Sequence, residues 1–261
     1  MKCHLLFAAI VSVSIAGRTA SAGQIHSAVD DFSTTTNTET STSSYRFRNV
    51  NNSRVGTYDL LTTFSNQGNW TPVTEQWNRN AGEQFGIPAV AVNKTGGDIS
   101  WTGNNSGFEW PTDTIWMHPK SNGLVVVSWL SPFSGTVDIE FLFKDIDLGS
   151  VGGGVTGINW FVDKNDSSGG LVSALASGGF TNGGESGLQT TNGVSVNAGD
   201  RLNFIVDANG SFFFDSTAFT ATITSAVPEP SSVALGLSGV AILLGAGWWK
   251  RKRQPVSGSL S

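Results

Sequence analysis

The sequence predicts an all-β protein: an antiparallel, jelly-roll-like β-sandwich ectodomain, with a signal peptide before it and a single transmembrane helix after it. The chain contains 32 glycines and 16 phenylalanines and is poor in leucine, lysine and glutamate, a composition typical of short strands joined by tight turns. Apolar residues occupy every second position of Thr136–Phe143, the period of a strand with one face in the core. No internal repeat of fixed period indicates a solenoid or propeller.

The first 22 residues have the features of a secretory signal peptide. Lys2 precedes the apolar stretch Leu5–Ala16, and Ala20 and Ala22 place small residues at the −3 and −1 positions of a cleavage site before Gly23. A signal-anchor helix is the alternative, but the apolar stretch is short for one. We therefore predict export through the secretion translocon and cleavage before Gly23.

Residues 23–226 are predicted to form the β-sandwich. Ser33–Ser44 is rich in serine and threonine and is either a flexible tether or, because Val29–Phe32 can start a strand before it, part of the domain. Leu124–Leu130 is an apolar run that suits a strand buried on both faces. The predicted strands are Tyr58–Phe64, Ile87–Val92, Leu124–Leu130, Thr136–Phe143, Val155–Val162, Leu171–Leu175, Gly187–Val196, Leu202–Val206 and Ala218–Thr224.

Residues 227–253 combine a proline turn, an apolar helix and a basic stop. Pro228, Glu229 and Pro230 favour an extended, accessible peptide, because proline fixes φ and disfavours both helix and strand. The uncharged run Val233–Trp249 would span roughly 25 Å as a helix, close to the thickness of a hydrocarbon core. The cations that should remain in the cytoplasm are Lys250, Arg251, Lys252 and Arg253, before a short tail over residues 254–261.

This arrangement resembles the PEP-CTERM tail of bacterial proteins, which has a Pro-Glu-Pro box, a glycine-rich hydrophobic helix and a terminal Arg/Lys cluster. The resemblance covers about Val227–Arg253. It implies recognition and processing near the box by an exosortase, an integral-membrane cysteine transpeptidase-like enzyme, and an association with exopolysaccharide production. A plain C-terminal membrane anchor is the alternative that hydropathy leaves open.

A weaker resemblance extends over about Val29–Thr224. It is similar to a group of secreted β-sandwich ectodomains without an established activity that precede PEP-CTERM tails. The matching motifs include Asp31-Phe32-Ser33, Trp116-Met117-His118-Pro119 and Ala198-Gly199-Asp200-Arg201-Leu202. This resemblance implies that Ser33–Ser44 belongs to the domain.

Composition excludes several classes of function. Cys3 is the only cysteine and leaves with the signal peptide, so the mature chain has no disulfide, thiolate metal site or cysteine nucleophile. Gly23–Ser232 holds all 20 acidic residues and nine of the lysines and arginines, a net charge of −11. Such a surface does not attract nucleic acid through its overall field, but it attracts divalent cations.

Two carboxylates at the end of a predicted strand are candidates for catalysis. Asp145 and Asp147 are two positions apart and should face the same side. A pair of carboxylates about 5–9 Å apart can hydrolyse a glycosidic bond. The alternative interpretation is that both are solvated residues at a strand end.

Two glycine-containing loops present clustered oxygen ligands for calcium, the one cofactor that the sequence suggests. The first has Asp163, Asn165 and Asp166, and the second has Asp207 and Asn209. The alternative is that both are Asx turns that close hairpins.

Tryptophans in polar surroundings are candidates for stacking on sugar rings. The four candidates are Trp70, Trp77, Trp101 and Trp110. Secreted β-sandwiches also bury many aromatic residues, so core packing is the alternative. His118 is the only histidine well inside the domain, and we interpret it as a hydrogen-bonded packing residue.

These observations predict an exported, non-enzymatic envelope or extracellular-matrix protein with a structural or adhesive role. The C-terminal helix anchors it with the ectodomain outside the cytoplasm, and processing can release it to the cell surface or matrix. Two alternatives remain open: a carbohydrate-binding module for matrix polysaccharide, and a polysaccharide-active enzyme that uses Asp145 and Asp147.

Overall fold

The computed structural model describes residues 23–49, 53–65, 75–80, 87–103, 106–147 and 156–225. Over these ranges the secondary structure consists of β-strands, and every pair of neighbouring strands is antiparallel. The prediction of an all-β antiparallel protein is confirmed.

The strands form two large sheets and one separate hairpin. The first sheet has the order β14 (Gln189–Val196), β11 (Gly135–Asp145), β16 (Thr217–Ser225), β9 (Thr114–His118), β6 (Ala89–Asn93), β5 (Gln76–Asn78) and β4 (Thr63–Ser65), and β1 (Ile25–Ser27) also pairs with β16. The second sheet has the order β13 (Leu171–Phe180), β12 (Ile158–Asn165), β15 (Arg201–Asp207), β10 (Leu124–Leu130), β2 (Ser43–Arg48) and β3 (Asp59–Leu60). The hairpin consists of β7 (Ile99–Gly103) and β8 (Ser106–Trp110).

The main core lies between the inner faces of the two large sheets. Every second residue of β11 is buried, as the alternation in the sequence predicted. The ring of Phe143 stacks on Trp160 from the opposite sheet at 5.6 Å and on Phe219 at 4.9 Å, measured between ring centroids. Aromatic rings thus provide much of the apolar surface that holds the sandwich together.

Strand β10 coincides with the predicted strand Leu124–Leu130 and is buried on both faces. Val125 and Val127 face the main core. On the outer face, Leu124 and Val126 pack in a smaller cluster with Tyr58. A segment that follows β2 therefore covers part of the outer face of the six-stranded sheet.

The structure decides between two alternatives that the sequence left open and corrects one predicted strand. Ser33–Ser44 is not a flexible tether, because the Asn37 side chain pairs with backbone groups of Tyr45 and Leu61. The predicted strand Tyr58–Phe64 divides into β3 and β4, which belong to different sheets. The chain crosses from one sheet to the other at this point and buries Leu61 completely.

The two predicted hydrophobic helices lie outside the described residues. This holds for the signal peptide with Ala20 and Ala22, for the box Pro228–Pro230, for the helix over 233–249 and for the basic cluster 250–253. Within the described ranges, no helix has the length and apolar content to cross a membrane.

Candidate functional site

A groove with a volume of about 600 Å³ crosses the outer face of the six-stranded sheet. We call it the polar groove. Its lining includes Glu39, Arg46, Tyr58, Asn165, Arg201 and Asn203. The segment around Tyr58 borders it on one side and the loop Asp166–Gly169 borders it on another.

A row of buried polar side chains lies beside the polar groove on the outer face. Ser128 on β10 is paired with Ser44 on β2 and with Asn203 on β15, and Asn203 is in turn paired with Asp163 on β12. Each of the four side chains is at most 1% exposed. Among the described residues, Ser128 Oγ and Asn203 Oδ1 are buried atoms that have no hydrogen-bond partner.

Two arginines and one glutamate form a network of ion pairs in the polar groove. Arg46 Nη2 lies 2.6 Å from Glu39 Oε2, and Arg201 Nη2 lies 3.3 Å from the same oxygen. The hydrogen bond from Arg46 lowers the pKa of Glu39. Burial lowers the pKa of Arg201 to about 10, so this guanidinium remains charged at neutral pH. Asp59 and Asp166 also line the groove, so its two arginines stand beside three carboxylates in all.

The two loops proposed for calcium use their polar atoms within the protein. Asp163 Oδ1 pairs with Arg54 at 2.8 Å, and Asn165 Nδ2 donates to the Gly169 carbonyl. Asp166 Oδ1 accepts hydrogen bonds from the backbone of Ser168 and Gly170. The oxygen atoms of the first loop therefore do not converge, and its turn is an Asx turn.

The second loop has the same kind of internal bonding. Asp207 Oδ1 accepts a bond of 3.1 Å from the backbone of Asn209. Asn209 has φ of 47°, the left-handed conformation that asparagine adopts more readily than most residues. Its Nδ2 donates to the Thr156 carbonyl. An Asx turn describes this loop as well.

The tryptophans predicted as sugar platforms are mostly packed inside. Trp77 is 6% exposed, packs at a tilt against Phe64 and donates a 2.7 Å hydrogen bond to the Ser33 carbonyl. Trp110 is 2% exposed and packs in a second core cluster. Trp101 is half-buried against the same cluster, and Trp70 lies outside the described residues. The exposed faces expected for Trp77 and Trp110 are therefore absent, because strand pairing turns their rings inward.

The carboxylates proposed for catalysis are not solvated strand-end groups. Asp145 is 7% exposed, and its Oδ1 accepts a bond from the backbone of Asp147. Burial, together with the charge of Asp145, raises the pKa of Asp147 to about 7. His118 is buried, and its Nδ1 lies 2.8 Å from the Pro119 carbonyl, which confirms it as a packing residue.

A comparison with protein-family models gives a match in the C-terminal segment. Residues 226–252 match the PEP-CTERM protein-sorting motif. This confirms the motif that the Pro-Glu-Pro box, apolar run and basic cluster predicted. The PEP-CTERM match covers about a tenth of the chain and does not include the β-rich domain. None of the curated proteins compared with the chain matches it significantly.

Several solved structures share distant similarity with the β-rich domain. One is TmCBM61 in complex with β-1,4-galactotriose, with 11% identity, a TM-score of 0.28 and coverage of 43% of this chain and 70% of that chain. Another is a mutant of the carbohydrate-binding module CBM29-2, with 13% identity, a TM-score of 0.29 and coverage of 51% and 83%. A third is a family 35 carbohydrate-binding module from Clostridium thermocellum, with 14% identity, a TM-score of 0.27 and coverage of 52% and 98%. Similarity at this level does not identify a ligand.

Apart from Asn165 and Asp166, which the sequence suggested for calcium, the residues of the polar groove were not predicted to form a binding site. A signal for them exists, because Arg46, Arg201 and Asn203 interrupt apolar strands at alternate positions. Such residues must face away from the core, and β2 and β15, which flank β10, carry them on the same face of the sheet.

Proposed function

We propose that this chain is an exported protein, sorted through its PEP-CTERM segment, whose β-sandwich binds a polysaccharide in the polar groove. One observation carries the binding part of the proposal. The groove combines charged side chains that ion pairs already hold in place with a buried amide oxygen, on Asn203, for which the described part of the chain supplies no hydrogen-bond partner.

The chemistry of the polar groove suits a hydroxyl-rich ligand. Arg46 and Arg201 are donors only, while Glu39 and Asn203 supply acceptor oxygens, so both sides of a sugar hydroxyl can be satisfied. The ion pairs to Glu39 fix both guanidinium groups before binding, which reduces the entropy lost when a ligand is bound. The volume of the groove lies within the range of about 300–1,000 Å³ that is common for ligand sites.

The remaining parts of the proposal concern location and activity. Export through the translocon, exosortase processing near Pro228–Pro230 and anchoring through residues 233–249 place the sandwich outside the cytoplasm, on the cell surface or in the matrix. A non-enzymatic role is supported by the burial of Asp145, which withdraws that carboxylate from a substrate. An adhesive protein that holds matrix polysaccharide fits both the sorting motif and the groove.

Affinity electrophoresis in gels that contain the exopolysaccharide of the producing organism tests the binding. The wild-type protein should be retarded. Arg201→Ala and Asn203→Ala should each weaken binding at least tenfold, because each removes a buried hydrogen-bonding group from the polar groove. Thermal unfolding of each variant checks that the fold is kept.

Lys144→Ala is the matched control, since it also removes a cation but lies on the outer face of the other sheet. It should leave the retardation unchanged. Two results would contradict binding in the groove. One is a wild-type mobility that no polysaccharide in a broad set changes, and the other is equal retardation of all three variants.

A further inference from the structure

The floor and the rim of the polar groove differ in the charge that they present. The floor consists of buried side chains, among them Arg46 and Asn203. The rim carries three carboxylates: Glu39, with a side chain that is 64% exposed, the exposed Asp59 and the half-buried Asp166. A ligand that enters the groove therefore meets carboxylates before it meets an arginine.

The charge of both arginines in the groove is compensated inside the protein. Arg46 contacts Glu39 through both terminal nitrogens, at 3.2 and 2.6 Å, and also donates to the Tyr58 carbonyl. Arg201 contacts the same carboxylate and donates to Ser44 Oγ at 3.3 Å. The two arginine side chains are 5% and 14% exposed, so both cations lie beneath the rim. An anionic group of a ligand would have to displace Glu39 to pair with them.

The other two carboxylates of the rim have no cation beside them in the described part of the chain. No ion pair there involves Asp59 or Asp166. Asp166 Oδ1 accepts bonds from the Ser168 hydroxyl and the Gly170 amide, and the Ser168 bond lowers the pKa of Asp166. This carboxylate is therefore ionised at mildly acidic pH. Three carboxylates against two guanidinium groups give the groove a net negative charge, within a region, Gly23–Ser232, whose net charge is −11.

The floor adds buried acceptor atoms that lack a donor. Asn203 Nδ2 donates to Asn165 Oδ1 at 2.8 Å, but no described residue donates to Asn203 Oδ1. Asp163, directly opposite Asn203 in the neighbouring strand β12, has a second buried oxygen of this kind, Oδ2. A buried acceptor without a donor is costly, so the floor favours a ligand that supplies N–H or O–H groups.

We propose that the polar groove selects a polysaccharide that carries free amino groups, of the kind that de-N-acetylated amino sugars provide, and binds the ammonium groups against its acidic rim. An ammonium group has N–H donors and no acceptor, so it suits acceptor oxygens on both the rim and the floor. Its charge compensates those of Asp59 and Asp166, whereas a uronic acid would place a fourth carboxylate beside three. The inference rests on the proposed binding of a polysaccharide in the groove and adds the charge of that polysaccharide.

N-acetylation of the exopolysaccharide of the producing organism provides the first test, because acetic anhydride converts free amines into neutral amides. In affinity gels, the native polysaccharide should retard the wild-type protein about threefold more than the acetylated polysaccharide does. The retardation by the native polysaccharide should also weaken as sodium chloride is added, since salt screens exposed charges. Equal retardation by the two polysaccharides overturns the inference.

Titration calorimetry with defined tetrasaccharides tests the role of the rim. At mildly acidic pH, the wild type should bind the β-1,4-linked glucosamine tetramer about threefold to tenfold more tightly than cellotetraose, which has a hydroxyl in place of each amine. Asp59→Asn should reduce this preference at least twofold, because it removes an exposed carboxylate at nearly constant side-chain size. Asp166→Asn provides a second variant, and thermal unfolding checks that both keep the fold.

Asp113→Asn is the matched control. Asp113 is exposed, precedes β9 in the other large sheet and has φ of 54°, a conformation that asparagine adopts readily. The substitution removes the same charge outside the groove and should keep the preference of the wild type. An equal loss of preference in Asp59→Asn and Asp113→Asn would show attraction by the overall charge of the protein and overturn the inference. A wild type without any preference for the glucosamine tetramer overturns it as well.

The failure of this inference is distinguishable from the failure of the proposed function. If the native polysaccharide retards the wild type, Arg201→Ala weakens the retardation and N-acetylation has no effect, binding in the groove stands and only the selection of amino groups is wrong. If the native polysaccharide does not retard the wild type, both are wrong.

Discussion

Asn37 joins the serine- and threonine-rich segment to the sandwich. Its Nδ2 donates to the carbonyls of Tyr45 and Leu61, both at 2.8 Å, and its Oδ1 accepts from the Tyr45 amide at 2.9 Å. One side chain thus bonds to three backbone groups, two on Tyr45 and one on Leu61, and adds to the backbone bond from the Leu61 amide to the Tyr45 carbonyl. A buried backbone group without a partner is costly, so this asparagine holds the segment in place together with the ion pairs of Glu39.

We predict that Asn37→Ala lowers the free energy of unfolding by about 2–4 kcal/mol, because it removes three hydrogen bonds and leaves their partners unsatisfied. Thr40→Ala is the control, since Thr40 is exposed in the same segment and should change stability by less than about 0.5 kcal/mol. Urea denaturation measures the free energy of unfolding of both variants. Equal effects of the two substitutions would show that the segment is a loose tether.

Some side-chain environments followed from the sequence and others did not. Trp129 and Trp160 lie in apolar strands, and both are in the core as expected. Trp77 and Trp110 have polar neighbours in the sequence but are also buried. The polarity of neighbouring residues reports little about a strand residue, because adjacent residues point to opposite faces.

At the scale of strands, a glycine on β13 leaves room for an aromatic ring of β12. Gly178 is paired with Trp160, and a Cβ atom at position 178 would lie 2.5 Å from Trp160 Cζ2. The absence of a side chain lets the indole lie over the neighbouring strand. Trp160 also packs on Phe141 and Phe143, so the ring has little room to move away.

We predict that Gly178→Ala destabilises the domain by about 1–3 kcal/mol, through overpacking against the indole. Gly97→Ala is the control, because no atom lies within 4 Å of a Cβ at that position. The control should be neutral or slightly stabilising, as alanine reduces the entropy of the unfolded chain. Thermal unfolding gives the melting temperatures of the two variants and the wild type. An unchanged melting temperature for Gly178→Ala would contradict the close packing of position 178 against Trp160.

The sequence predicted strands more successfully than it predicted their arrangement. The period-two pattern of β11 and the apolar run of β10 were sufficient to predict both strands. The polar groove could not be predicted in this way, since its lining comes from Glu39, Arg46, Asn165 and Arg201, far apart in the chain. Only the pairing of β2, β10, β15 and β12 brings these residues together.

At the scale of the whole molecule, the proposed function gives the sorting motif and the β-rich domain separate tasks. The motif occupies residues 226–252, and the described strands end at Ser225. Recognition by a sorting enzyme needs only the short segment, whereas ligand binding needs the complete sandwich. Changes in one should therefore leave the other intact.

We predict that deletion of Pro228–Pro230 changes the mature mass and the cell fraction of the protein without changing its melting temperature. The proline-rich box offers an extended substrate to the sorting enzyme, and its removal should leave an unprocessed chain in the membrane. Deletion of Pro255–Ser257, beyond the basic cluster, is the control and should be processed normally. Identical mass and location for the wild type and the Pro228–Pro230 deletion would count against sorting through this motif.

The most direct test of the central claim is to locate the sugar on the protein. Backbone amide NMR spectra of the isotope-labelled protein can be recorded while oligosaccharides from the exopolysaccharide of the producing organism are added. We predict shifts that saturate and that lie in residues 56–60, 165–169 and 199–203, which line the polar groove. Sugar binding in the polar groove would be contradicted if no amide resonance shifts at high oligosaccharide concentration. It would also be contradicted if the shifts are confined to the outer face of the eight-stranded sheet.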